Sequence, residues 1–305
     1  MTSDLDKAMA IIGQSQQTIN AQLVEEFGEE DDFGEFDPSS LPRTGWFIDN
    51  DHPQLRASHL GDVLALDYYG PDYGPGWDAL LKTLCEPEVA RTLGSLRIGG
   101  PDQGANGSRI YMFEDVISSD VTFPNLSTLW IRPTDPGDHN CSYLEDGELE
   151  AMLSQMPSLQ LVTLPQPLDL TKLKTRLEKL EYLECASTYR HYHFITGLAE
   201  SDLFPALTFL DFGDSWGAWN SLQELAQGDV AATSFADYEK LARSVVGERM
   251  RGLRLRNARL SKAEYQKLQA IRPDWQFSVV LAPPHVYVSH WDKTDFPYEH
   301  LLVEK

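Results

Sequence analysis

Basic side chains are scarce in this chain: 25 lysines and arginines stand against 47 aspartates and glutamates in 305 residues, a formal charge of −22 and a pI near 4.6. A surface this acidic repels phosphate backbones and anionic lipids, so direct binding to nucleic acid or to a membrane is not expected. It steers basic partners toward the chain, and it also serves solubility. Cysteine is scarce too. Cys85, Cys141 and Cys185 are odd in number and far apart, with no C-x-x-C pairing, which predicts reduced thiols without a disulfide or a zinc site. No apolar run approaches the roughly eighteen residues of a membrane span. The opening Met1-Thr2-Ser3-Asp4 has neither the basic nor the apolar region of a secretion signal. The expected location is the cytoplasm, and no cofactor is expected.

What is present is apolar material for a continuous core, 42% hydrophobic residues with 10% aromatics. Compared with itself, the chain repeats one phrase. It reads Phe123-Pro124-Asn125-Leu126-Ser127-Thr128-Leu129-Trp130-Ile131, then Met156-Pro157-Ser158-Leu159 running on to Leu164, then Phe204-Pro205-Ala206-Leu207 running on to Phe212. Without the proline, Leu93-x-x-Leu96-x-Ile98, Leu180-x-x-Leu183-x-Cys185, Met250-x-x-Leu253-x-Leu255 and Val63-x-x-Leu66-x-Tyr68 join them. In L-x-x-L-x-L the last two apolar residues alternate on one face of a strand and the first sits at the turn feeding it, so all three enter one core.

Helical patterns separate the phrases: Trp77 to Leu93, Glu148 to Met156, Leu173 to Leu180, Phe194 to Leu203, Phe235 to Val246 and Ser261 to Ile271. The last opens with the capping box Ser261-Lys-Ala-Glu264. Proline in the phrase stops the helix before it. These phrases resemble the leucine-rich repeat family over residues 60 to 281, best in Met250 to Leu260. The resemblance implies an α/β solenoid of about seven strand-loop-helix repeats forming a curved parallel sheet, and a binding protein instead of an enzyme. Spacings of 21 to 43 residues, and a ninth position that is never asparagine or cysteine, point to irregular, bacterial-style repeats.

Three regions are expected: a mobile acidic segment over 1–42, the repeat body over 43–281, and a C-terminal cap and tail over 282–305. Within the first, Leu5 to Phe27 reads as a helix with Met9, Ile12, Ile19 and Leu23 on one face, followed by an acidic stretch interrupted by aromatics.

Gly213-Asp214-Ser215-Trp216-Gly217 matches the G-x-S-x-G of a nucleophile elbow and follows an apolar strand. A serine hydrolase built on Ser215 is therefore the alternative. Against it, Ser215 falls on the ninth position of a phrase, where a turn belongs, and no acid and histidine follow in a recognisable setting. His191 and His193 lack a third ligand at usable spacing and read as a solvated loop pair. The glycine-rich Gly94 to Gly104 lacks the lysine and spacing of a phosphate loop.

The strand register also names what points away from the core. The fifth-position column is Asp67, Arg97, Trp130, Thr163, Glu184, Asp211 and Arg254; the third is Ala65, Ser95, Thr128, Leu161, Tyr182, Phe209 and Gly252; the seventh includes Tyr69, Arg132 and Arg256. Aromatic and arginine residues dominate protein-binding hot spots. The candidate contact residues are Asp67, Tyr69, Arg97, Trp130, Arg132, Tyr182, Glu184, Phe209, Asp211 and Trp216, with Tyr68, Tyr73, Tyr189, Tyr192 and Trp219 in adjoining loops. The expected function is non-catalytic protein binding to a basic protein partner, as an immunity protein neutralises a toxin. A second alternative is an adaptor acting through its acidic, aromatic N-terminal tail.

Overall fold

The computed structural model describes residues 3–27, 53–100, 107–133, 140–145, 147–186, 191–214, 233–256, 258 and 260–280. In chain order the elements are α1 (Asp4–Phe27), β1 (Gln54–Leu60), β2 (Val63–Tyr69), α2 (Gly74–Cys85), α3 (Pro87–Thr92), β3 (Leu93–Gly99), β4 (Gly107–Tyr111), α4 (Glu114–Ser118) and β5 (Thr128–Ile131). Then come β6 (Asn140–Leu144), α5 (Glu148–Ser154), β7 (Leu161–Leu164), β8 (Tyr182–Ala186), α6 (Phe194–Glu200) and β9 (Phe209–Gly213). The described chain closes with α7 (Phe235–Ala242), α8 (Val245–Arg249), β10 (Gly252–Arg256), α9 (Lys262–Ile271) and β11 (Gln276–Val280).

Among the described residues nine strands make one open sheet in the order β1-β2-β3-β5-β7-β8-β9-β10-β11, while β4 and β6 pair separately. The β1–β2 pair is antiparallel and every later pair in the sheet is parallel. The fold is thus mixed α/β with a mostly parallel sheet. Each parallel strand lies beside the previous one in the main sheet, so the crossovers all step one way. Right-handed crossovers then gather the helices on one face. Leu66, Leu96, Leu129, Val162, Leu183, Leu210 and Leu253 point into that layer and are buried.

The repeated phrase has a common backbone shape. Leu126 N–H donates to Phe123 C=O, Leu159 to Met156, Leu180 to Leu177 and Leu207 to Phe204, a tight turn before each strand. Pro124, Pro157 and Pro205 fill the second position of such turns, where a fixed φ is suited. Just after the turns, bonds of 2.7–2.9 Å run Ser127 to Gly94, Gln160 to Ser127, Glu181 to Gln160, Thr208 to Glu181, Arg251 to Thr208 and Gln276 to Arg251, each N–H donating to the C=O of the preceding unit.

The capping box at Ser261 and Glu264 is formed, and a second one, unforeseen, joins Ser234 and Asp237 at the start of α7. The helix expected over Leu173 to Leu180 is absent. Leu173, Leu177 and Leu180 are buried, but from turns and irregular backbone. Pro165 and Pro167 occupy the start of this short connection, and Leu177 N–H donates to Leu203 C=O of the next unit, a bond that replaces helical pairing.

The helix read in the N-terminal segment is present. Ala8, Ile12, Ile19 and Leu23 are buried where α1 packs against α2, α3 and β1, with Met9 partly buried beside them. Gln16 reaches the edge strand: its Oε1 accepts from Leu55 N–H at 2.6 Å, and its Nε2 donates to Pro53 C=O. Residues 28–52 and 281–305 lie outside the described residues.

Candidate functional site

Strand pairing aligns the outward columns as their spacing requires. Asp67 pairs with Arg97, Arg97 with Trp130, Trp130 with Thr163, Thr163 with Glu184, Glu184 with Asp211 and Asp211 with Arg254. Arg56 of the unforeseen strand β1 extends the row beside Asp67. In the neighbouring row Thr128, Leu161, Tyr182, Phe209 and Gly252 are consecutive partners.

The centre of this face is apolar. Leu161 is 46% exposed, and the rings of Tyr182 and Phe209 stack with centroids 5.5 Å apart. A Cβ at Gly252 would come within 2.3 Å of the Phe209 ring, so the glycine lets that ring lie flat on β10. At the β3–β5 end the Arg97 guanidinium sits 4.4 Å over the Trp130 ring, an attraction between cation and ring quadrupole. Burial raises the Asp67 carboxyl above its ordinary value, against the pull of Arg97 and Arg56. Arg132, half-buried two residues after Trp130, donates to Gly100 C=O.

The β8–β10 end is a network of charges. Asp211 is only 1% exposed: its Oδ1 accepts from Arg256 Nε at 2.7 Å and its Oδ2 from Arg254 Nη1 at 3.1 Å. Arg256 Nη2 lies 3.3 Å from Glu184 Oε1, and Glu184 Oε2 accepts from Thr163 and Tyr182 hydroxyls. Burial, followed by the charges of Glu184 and Asp211, pushes the Tyr182 hydroxyl well above the ordinary tyrosine range.

Of the candidate contact residues, Asp67, Tyr69, Arg97, Trp130, Arg132, Tyr182, Glu184, Phe209 and Asp211 lie along this one face, and Trp216 lies outside the described residues. Among the loop aromatics, Tyr73 is exposed and Tyr192 half-buried, whereas Tyr189 and Trp219 are not among the described residues. Tyr68 belongs to the core, its hydroxyl donating to Pro71 C=O at 2.6 Å. Leu161, Arg254 and Arg256 complete the face. Their column positions were visible in the repeat, but their packing and ion pairs depend on neighbouring strands.

A second polar cluster closes the end of β9. Asp214 is buried, its Oδ1 accepting from the Thr233 N–H and hydroxyl and its Oδ2 from the Tyr238 hydroxyl at 3.0 Å. His191 Nε2 lies 2.8 Å from Thr233 Oγ1 and 3.6 Å from Asp214 Oδ1, so this histidine is packed, unlike the solvated residue expected. A nucleophile–histidine–acid relay places its two partners on different ring nitrogens. Here both contacts use Nε2, and Nδ1 is buried with no partner among the described residues. Ser215 lies outside the described residues, as do His285 and His290. Among the described residues no group of three or more His, Cys, Asp or Glu side chains is arranged to hold a metal ion.

No protein-family model matches the chain. Nor does any curated protein. No helix among the described residues is long and apolar enough to cross a membrane.

Proposed function

We propose that this chain is a leucine-rich-repeat-type solenoid that acts, without catalysis, as a protein-binding module in the cytoplasm. It grips a basic protein partner through the outer strand face and the adjoining aromatic loops, as an immunity or inhibitor protein neutralises a toxin. The observation that supports this reading is the aligned outer face, where Trp130, Tyr182 and Phe209 remain partly exposed beside the exposed Leu161 on parallel strands. Rigid aromatic anchors with arginines around them carry most of the energy in protein interfaces. The charge of −22 supplies long-range attraction for a cationic partner.

The test is purification of the tagged full chain from its native cell, beside Trp130→Ala and Phe209→Ala variants. A basic protein retained in near-stoichiometric amount by the wild type, released by salt and lost from both variants, is the expected result. A partner held equally well by the variants sinks the reading.

A further inference from the structure

Among the described residues the outer strand face is rich in arginine for so acidic a chain: Arg56, Arg97, Arg132, Arg254 and Arg256 stand on it beside Asp67, Glu184 and Asp211, in a chain of net charge −22. Two of those arginines retain unspent hydrogen-bonding capacity. Arg97 is exposed, stacks on Trp130 and makes no hydrogen bond among the described residues. Arg254, 44% exposed, gives a single donor, to Asp211, among the described residues, out of the five a guanidinium carries. Between them lies the apolar shelf of Leu161, Tyr182 and Phe209.

Resting on the protein-binding reading above, we propose that the partner inserts an extended acidic segment with a central aromatic residue across this face. Its carboxylates pair with Arg97 and Arg254, and its ring rests on the shelf. Guanidinium groups bind carboxylates as forks, and stacking on Trp130 holds the Arg97 fork in place without using its donors. Five strand intervals separate Arg97 from Arg254, about 24 Å along the sheet at roughly 4.8 Å each. An extended peptide covers that in about seven residues at roughly 3.3 Å per residue. The net charge of the chain and the local charge of the face act at different ranges. The first attracts a basic protein from a distance; at contact, within the screening length of about 8 Å, nearby guanidinium groups decide which side chains are accepted. The partner is basic as a whole and acidic where it touches the strands.

The experiment uses fluorescence anisotropy with the full chain and labelled synthetic peptides of about nine residues: acidic at both ends with a central phenylalanine, the same with lysines for the acids, and the acidic form with alanine for phenylalanine. The acidic phenylalanine peptide should bind about tenfold more tightly than either analogue, and Arg97→Glu and Arg254→Gln should each weaken it about fivefold. An acidic peptide of about five residues, too short to reach both arginines, should lose the sensitivity to one of the two substitutions. Equal or tighter binding of the lysine peptide, no binding of the acidic one, or indifference to both arginine substitutions overturns the proposal. Thermal melts of both variants establish that the fold is retained. Failure of the protein-binding role itself reads differently, as a native partner whose capture ignores Trp130→Ala and Phe209→Ala.

Discussion

The two ends of the outer sheet face are built from the same kinds of residue and differ in how many of their bonds are already made. At the β8–β10 end, Asp211, Arg254, Arg256 and Glu184 bind one another, and the central carboxylate is shut away from solvent. At the β3–β5 end, Arg97 lies in the open on Trp130. Composition alone rates the two ends alike as contact surfaces. Bonding separates them: one is mainly scaffold, the other mainly available to a partner.

The largest effect is expected where the bonds are made. Asp211→Ala leaves Arg256, mostly buried, without its closest counter-charge and should cost about 3 kcal/mol, the low end for breaking a buried ion pair. The shift of the urea midpoint measures it. A loss below about 1 kcal/mol would place the network with ordinary surface pairs and erase the contrast. Trp130→Ala at the other end should lower stability by only about 1 kcal/mol, mostly lost stacking with Arg97, while weakening capture of the partner by tenfold or more. Paired denaturation and binding measurements on these two variants test the division most directly, since stability and binding should move in opposite proportion.

A smaller effect with a definite sign belongs to Asp67. Burial holds its carboxyl above the ordinary 3.8, so the folded chain binds this proton more tightly than the unfolded chain. Its contribution favours folding at low pH and declines as pH rises from that value through the raised folded-state one. Asp67→Asn should therefore change stability by less than about 0.5 kcal/mol at pH 7, and in the stabilising direction. Its gain over the wild type should shrink as the pH is taken below 3.8, and urea midpoints at several pH values would show the trend. The smallest effect is expected for Arg254→Ala, about 0.2 kcal/mol, the low end for exposed pairs, because that arginine is half exposed and Arg256 still holds Asp211.

The columns of this face were legible because a strand repeats every two residues, and the spacing Leu126-x-x-Leu129-x-Ile131 leaves one assignment for each intervening side chain. The capping box at Ser261 was legible for a similar reason, being a contact between residues three apart. Strand β1 was not, since Gln54 to Leu60 lacks the repeated phrase and its place depends on a hairpin with β2 and on Gln16 from a distant helix. Leu173, Leu177 and Leu180 misled because their spacing is helical, while the bond from Leu177 to Leu203 that defeats a helix crosses between units. The network around Asp211 was hidden in the same way: the register shows which residues are adjacent, but not that Arg256 reaches diagonally to a carboxylate of the next strand.

The run of backbone bonds from Gly94 to Gln276 connects each unit to the one before it in the chain, and no strand of the main sheet waits for a partner made much later. Synthesis from the N-terminal side therefore presents the strands in the order in which they lie in the sheet. The first hundred residues supply α1, the β1–β2 hairpin, α2, α3 and β3, a starting block whose inner layer holds Ile12, Leu66, Trp77 and Leu96. Each later strand has its neighbour in the sheet already synthesised ahead of it, an order that allows growth by addition at a single edge. The reverse journey, under a pull on the C-terminal side, would peel strands away one at a time in a sawtooth of similar steps, with the starting block the last to yield.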